Sequence, residues 1–187
     1  MKKMLWMCAA LVIAATMSMN AAERGKFIHV DATVNKNLKP QLAFSQKKAE
    51  GQEVTTLLVQ TVNVNGYNEF TDASRVLMRF TDGKMVRLNR VAGSAVATRK
   101  YSKKNGTATF TYYETVTEYE VLPEVIEALE AGTAIIKVRI VFKENESKDY
   151  DIAEGYQPKM AADLLKSYQE AVSKNLKANS DMSDADF

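Results

Sequence analysis

Apolar residues at every second position run through most of this chain, and no other feature limits its possible folds as tightly. Between Ile136 and Phe142, residues Ile136, Val138, Ile140 and Phe142 fall on one side of an extended backbone, with Lys137 and Arg139 on the other. That is the pattern of a strand with one buried and one wet face. After the turn-forming Glu144-Asn145-Glu146-Ser147, Tyr150 and Ile152 alternate with Asp149 and Asp151, which completes a hairpin. The stretch from Val54 to Val64 is apolar on both faces, Leu57 and Val59 on one and Leu58, Val62 and Val64 on the other. It predicts a central strand covered on both sides. Thr107, Thr109, Thr111, Tyr113, Thr115 and Thr117 form a row expected to face solvent, backed by Ala108, Phe110, Tyr112 and Val116.

The segment Arg75 to Arg90 permits a register argument. A two-residue turn at Asp82-Gly83 would set Arg79 opposite Val86 and Met78 opposite Arg87, mixing charged and apolar groups on both faces. A three-residue loop, Thr81-Asp82-Gly83, instead pairs Val76 with Leu88, Met78 with Val86 and Phe80 with Lys84. Val76, Met78, Phe80, Val86 and Leu88 then share one face, and Arg75, Arg79 and Arg87 the other. Gly83 would take a left-handed conformation, which a β-branched residue resists.

Two helices are expected. Near 123–131, Pro123 suits a first helical position, Glu124 and Glu127 lie toward the positive end of the dipole, Val125, Ile126 and Leu129 form a stripe, and Gly132 marks the stop. From about 158 to 178, Ala161, Leu164, Leu165, Tyr168, Val172 and Leu176 recur at helical spacing and should lie on one face of a sheet. Residues 180–187 carry three Asp and no basic residue and are expected to be a disordered acidic tail. The fold class is therefore α+β: a mainly antiparallel twisted sheet of about six to eight strands with two helices. The domain is expected to span 23–179. A strand followed by a hairpin occurs twice, so two weakly similar β-rich halves, about 50–104 and 105–157 plus the last helix, are an open reading beside ordinary meandering.

The first residues have a different character. Lys2-Lys3, the apolar run Leu5 to Ala15 and the small and polar stretch Thr16 to Ala22 have the arrangement of a secretory signal peptide over residues 1–22. The run is too short to cross roughly 30 Å of hydrocarbon, so no transmembrane segment is expected in the mature chain. Cys8 lies inside the run rather than after it, unlike a lipid-attachment cysteine. The whole chain has 25 Lys and Arg against 23 Asp and Glu, and losing Lys2 and Lys3 leaves a formal charge of zero. Without an overall positive field, nucleic acid is not an expected partner. The only Cys and the only Trp, Cys8 and Trp6, leave with the leader. The exported chain then has no disulfide, thiol nucleophile or thiolate metal site, and its core must hold it together. About 165 residues suffice for that.

Candidate chemistry is sparse. His29 is the only histidine, so a small hydrolase would work through it, with Asp31 nearby and Ser45 or Ser74 as nucleophile, but no G-x-S-x-G turn frames a serine. Asp149, Asp151, Glu154 and Gly155 loosely suggest a calcium loop, but Ala153 stands where a ligand is needed. No catalytic residue, metal ligand or cofactor is assigned. The basic run Arg75, Arg79, Lys84, Arg87, Arg90, Arg99, Lys100, Lys103 and Lys104 contains one acid, Asp82. Brought together, these residues would meet a carboxylated glycan, a lipid phosphate or an acidic protein; scattered, they are solubilising charge. Tyr113, with Tyr101 and Tyr119, would give a sugar an apolar platform. The candidate ligand-binding set is Arg79, Arg87, Arg99, Lys100, Tyr101 and Tyr113.

The run Arg79-Phe80-Thr81-Asp82-Gly83-Lys84, followed by Tyr119, a short helix, Ile136-Lys137-Val138-Arg139-Ile140 and Tyr150-Asp151-Ile152 before a closing helix, resembles small exported proteins of Gram-negative gut anaerobes whose function is not assigned. The resemblance implies a periplasmic or envelope-associated α+β domain, covers about two-thirds of the mature chain and transfers no functional residue. The expectation is a non-catalytic envelope binding module, periplasmic or at the cell surface. A glycan-binding protein and a His29 hydrolase are the alternatives. A protein partner, an acidic glycan or lipid, and a second copy of the chain are the partner classes.

Overall fold

The computed structural model describes residues 24–30, 38–49, 52–105 and 107–185. The expected leader over 1–22 lies outside the described residues, as does Asp31. Nine strands are described: β1 (Ile28–His29), β2 (Gln41–Ala49), β3 (Gln52–Asn63), β4 (Arg75–Phe80), β5 (Met85–Asn89), β6 (Ala97–Asn105), β7 (Ala108–Glu120), β8 (Ile135–Lys143) and β9 (Glu146–Asp151). Helix α1 (Pro123–Glu130) joins β7 to β8, and α2 (Gln157–Ala185) closes the chain. The strands form two antiparallel sheets, ordered β1-β2-β3-β7-β6 and β5-β4-β8-β9. The α+β class read from the sequence is the one observed.

The β4–β5 hairpin has the bulged register. Val76 faces Leu88 and Met78 faces Val86. The Phe80 N–H donates to the Lys84 carbonyl at 2.9 Å and the Gly83 N–H to the Phe80 carbonyl at 3.0 Å. Gly83 sits at φ +86°, where only glycine is unstrained.

Both sheets turn their apolar faces into one core. Leu42, Phe44, Leu57, Val59 and Tyr119 come from the first sheet, and Val76, Met78, Phe80, Val138, Ile140 and Phe142 from the second. Helix α1 adds Val125 and Leu129, and α2 adds Met160, Ala161, Leu164 and Ala171. Phe44 meets the Tyr168 ring edge-on at 5.7 Å between centroids, which seats α2 over β2.

Three expectations need correction. Thr115 and Thr117 are wholly buried, because β7 carries the far end of its threonine row onto the core face. There the Thr117 hydroxyl donates to the Val59 carbonyl at 3.4 Å. The apolar stripe of α2 ends early: Leu176 is 56% exposed, and Asn175 takes the buried position, with Nδ2 3.5 Å from Gln46 Oε1 and 3.4 Å from Glu53 Oε1. Finally, helical backbone continues through Ala185, where a disordered tail from residue 180 was expected. Extending an anchored helix fixes one residue per hydrogen bond and avoids the cost of nucleation.

The strand pairing repeats. Advancing every residue of the β2–β3 ladder by 56 positions yields the β6–β7 ladder, Gln41↔Gln60 becoming Ala97↔Val116 and Ala49↔Gln52 becoming Asn105↔Ala108. Advancing the β4–β5 ladder by 62 yields β8–β9, so that Val76↔Leu88 becomes Val138↔Tyr150. The same shift carries Gly83 to Asn145, and both hold positive φ. Central pairs exchange members as a two-fold axis requires: Val76↔Ile140 with Met78↔Val138, and Leu58↔Glu118 with Val62↔Glu114. The chain thus holds two hairpin-pair units whose central pairings exchange about Gln60↔Val116 in one sheet and about Leu77↔Arg139 in the other. The unit boundary falls before β6 rather than after residue 104, since β6 is the hairpin partner of β7.

The two units differ at their outer edges. Residues 24–30 run along β2: Ile28 pairs with Leu42, the Gly25 N–H donates to the Phe44 carbonyl at 2.9 Å, and the Val30 N–H to the Pro40 carbonyl at 2.9 Å. The Phe44 N–H donates to Ser167 Oγ at 3.2 Å. A Cβ on Gly25 would lie 1.9 Å from the Ser167 carbonyl oxygen, so glycine is required for the chain to pass between β2 and α2. The equivalent edge, β6, has no strand beyond it among the described residues.

Candidate binding groove on the five-stranded sheet

Alternation along β2, β3, β7 and β6 places Gln41, Gln60, Val62, Glu114, Arg99, Tyr101 and Lys103 on the sheet face turned away from the core. With His29 and Lys39 they line an open groove of about 670 Å³. Arg99 binds Glu114 through Nη2 and Oε2 at 2.9 Å. Its guanidinium lies over the Tyr101 ring at 5.0 Å, and the Lys103 ammonium over the same ring at 5.6 Å. Tyr101 stacks on its cross-strand partner Tyr112 with centroids 5.5 Å apart. Burial pushes the Tyr101 hydroxyl above the usual tyrosine value; the Glu114 charge adds to this and Arg99 opposes it.

The pseudo-symmetry explains why this half of the face is basic. In the first unit Lys47 is neutralised by Glu118 at 2.8 Å, and Glu118 also accepts from the Thr56 hydroxyl at 2.7 Å. The position equivalent to Lys47 is Lys103, and the position equivalent to Glu118 is Val62. The acid is replaced by an apolar residue, and Lys103 turns to the Tyr101 ring instead.

Of the six candidate ligand-binding residues, the structure brings Arg99 and Tyr101 together in the groove, where Lys103, His29, Lys39 and Glu114 join them. Lys100 and Tyr113 pair with each other on the opposite face of the same strands. There the Lys100 ammonium lies 5.4 Å from the Tyr113 ring centroid, and Tyr67 meets Tyr113 edge-on at 5.1 Å. Arg79 and Arg87 are exposed on the outer face of the other sheet, where Arg87 Nε donates to Asn89 Oδ1 at 3.2 Å. The basic run is therefore divided among three surfaces. The three-tyrosine platform does not form either: Tyr101 and Tyr113 face opposite ways, and Tyr119 is buried in the core.

Three other candidates, Ser74, Asp149 and Asp151, have structural partners. The Ser74 hydroxyl is buried, bonded to the Phe142 carbonyl, and accepts the Thr71 N–H at 2.8 Å. Asp149 takes both Arg139 Nε and Nη2, the latter at 2.7 Å, and Asp151 takes Lys137 at 2.9 Å. Arg139 holds the Asp149 carboxyl below its ordinary value. Among the described residues no cluster of His, Cys, Asp and Glu could hold a metal ion, and no helix is long and apolar enough to cross a membrane. Comparison with protein-family models, curated proteins and solved structures finds no match for the chain.

Proposed function

We propose that the protein is a non-catalytic binding module of the cell envelope that recognises an acidic partner across the β6 half of its five-stranded sheet. One observation carries this reading: Arg99, Lys103 and Lys39 gather around a groove whose lining contains a single carboxylate, Glu114. A low-dielectric wall beside such a cluster focuses its field on an incoming anion. The exported location inferred from the leader would put such a partner within reach. A glycan is the second reading, favoured by the Tyr101 ring in the groove lining, held in place by stacking on Tyr112. A hydrolase working through His29 is the weaker alternative, since the Ser74 hydroxyl is taken up in the fold.

The test uses poly-L-glutamate, polygalacturonate and neutral dextran as probes. Binding of one or both polyanions, weakened by salt and reduced about tenfold or more in the Arg99→Glu/Lys103→Glu variant, is expected. Preference for polygalacturonate over poly-L-glutamate would select the glycan. Equal binding by wild type and the charge-reversed variant would contradict the assignment of the groove.

A further inference from the structure

We infer that the open edge of β6 is a docking site for an extended acidic segment of a partner protein, which joins the sheet as an added strand. The inference rests on the groove reading and names the partner's class and mode of attachment.

The first unit shows what such an edge accepts. Along β2, residues 24–30 lie as an antiparallel strand. The Phe44 N–H and carbonyl point out of the ladder, toward Ser167 and Gly25. The shift of 56 that superposes the two hairpins carries Leu42 and Phe44 to Thr98 and Lys100. The N–H and carbonyl groups of Thr98, Lys100, Ser102 and Lys104 must then point outward from β6, with nothing beyond them among the described residues. A row of unpaired backbone groups on a nine-residue strand is a template for strand addition.

Charge selects the strand. Arg99 and Lys103 project on one face of β6, and Lys100 and Lys104 on the other, all exposed. A second copy pairing through its own β6 would bring these cations together, which opposes self-association. A segment with Asp or Glu on both faces would satisfy the backbone and the cations together. The substitutions fit an edge that changes occupants: β2, permanently covered, presents Leu42 and Phe44 to the core, whereas β6 has Thr98 and Lys100 in their places.

The probe is an end-blocked eight-residue peptide, Glu-Glu-Val-Val repeated twice, which carries Glu on both faces when extended, followed by fluorescence anisotropy and by amide exchange of the full chain. The Glu peptide is expected to bind and to slow exchange at Thr98, Lys100, Ser102 and Lys104. The same peptide N-methylated at alternate residues should bind about tenfold or more weakly, having lost its pairing N–H groups, and so should its Lys counterpart. Ser102→Pro, which removes an outward N–H and no ladder bond, should weaken binding while leaving the circular dichroism spectrum unchanged. Equal affinity for the N-methylated peptide would overturn strand addition yet leave acidic recognition by the groove intact. Equal binding of the Lys peptide would overturn the choice of an acidic partner. A dimer of the free protein dispersed by Ser102→Pro would make a second copy the occupant and overturn the proposal.

Discussion

Stability is expected to fall by about 5 kcal/mol as pH rises from below about 10 to above about 12, through two buried tyrosines. Burial pushes Tyr119, at the sheet interface, up to about 12 from 10, although the Thr117 hydroxyl and the Arg90 guanidinium pull the other way. Burial likewise pushes Tyr150, 3% exposed behind Val138, up to about 12. In the unfolded chain both hydroxyls ionise near 10, while in the fold they keep their protons. Their contribution is therefore complete below the unfolded value and is lost as pH climbs through the folded one. Each ring accounts for about 2–3 kcal/mol. Urea unfolding at a series of pH values gives the slope, and Tyr119→Phe and Tyr150→Phe should each flatten it. A double variant whose stability falls in parallel with wild type would place the alkaline transition elsewhere.

Phe80→Ala is expected to cost about 3–5 kcal/mol, since the ring is fully buried between the sheets and its removal leaves a cavity. Met85→Ala, five positions on and 64% exposed, should change stability by less than about 0.5 kcal/mol. The contrast tests the hairpin register. A two-residue turn would make Phe80 and Met85 cross-strand neighbours on one face, whereas the three-residue loop sends Met85 outward. Comparable losses in urea denaturation would mean that the turn is misassigned.

What was legible in the sequence is what local periodicity and turn chemistry decide. Gly83 and the alternation around it specified one hairpin to the residue, and the spacing from Ala161 to Val172 identified the covering face of α2. The burial of Thr115 and Thr117 was not legible, because threonine suits a wet or a dry strand face and only the second sheet decides which. The Asn-Gly dipeptide at 105–106 signals a hairpin, but read as a two-residue turn it would set Tyr101 opposite Phe110, whereas the observed register sets it opposite Tyr112 and so on the face away from Tyr113. Arg79 and Arg87 lie near Arg99 in sequence but belong to the other sheet, and local spacing carries no information on which sheet a strand joins. The two-fold repeat was blurred for a physical reason: α1 lengthens one connection, so the offset changes from 56 to 62 and no single alignment spans both units. Side chains that are covered in one unit and open in the other have also diverged, as Phe44 and Lys100 show.

The central claim is that two equivalent sheet edges have opposite fates, one closed by the chain itself and one open. Amide hydrogen exchange on the free monomer tests it directly. Leu42 and Phe44, beneath residues 24–30 and α2, should be protected to near the global stability, while Thr98 and Lys100 exchange orders of magnitude faster. Equal protection of the two pairs would show that β6 is already occupied and would contradict the account.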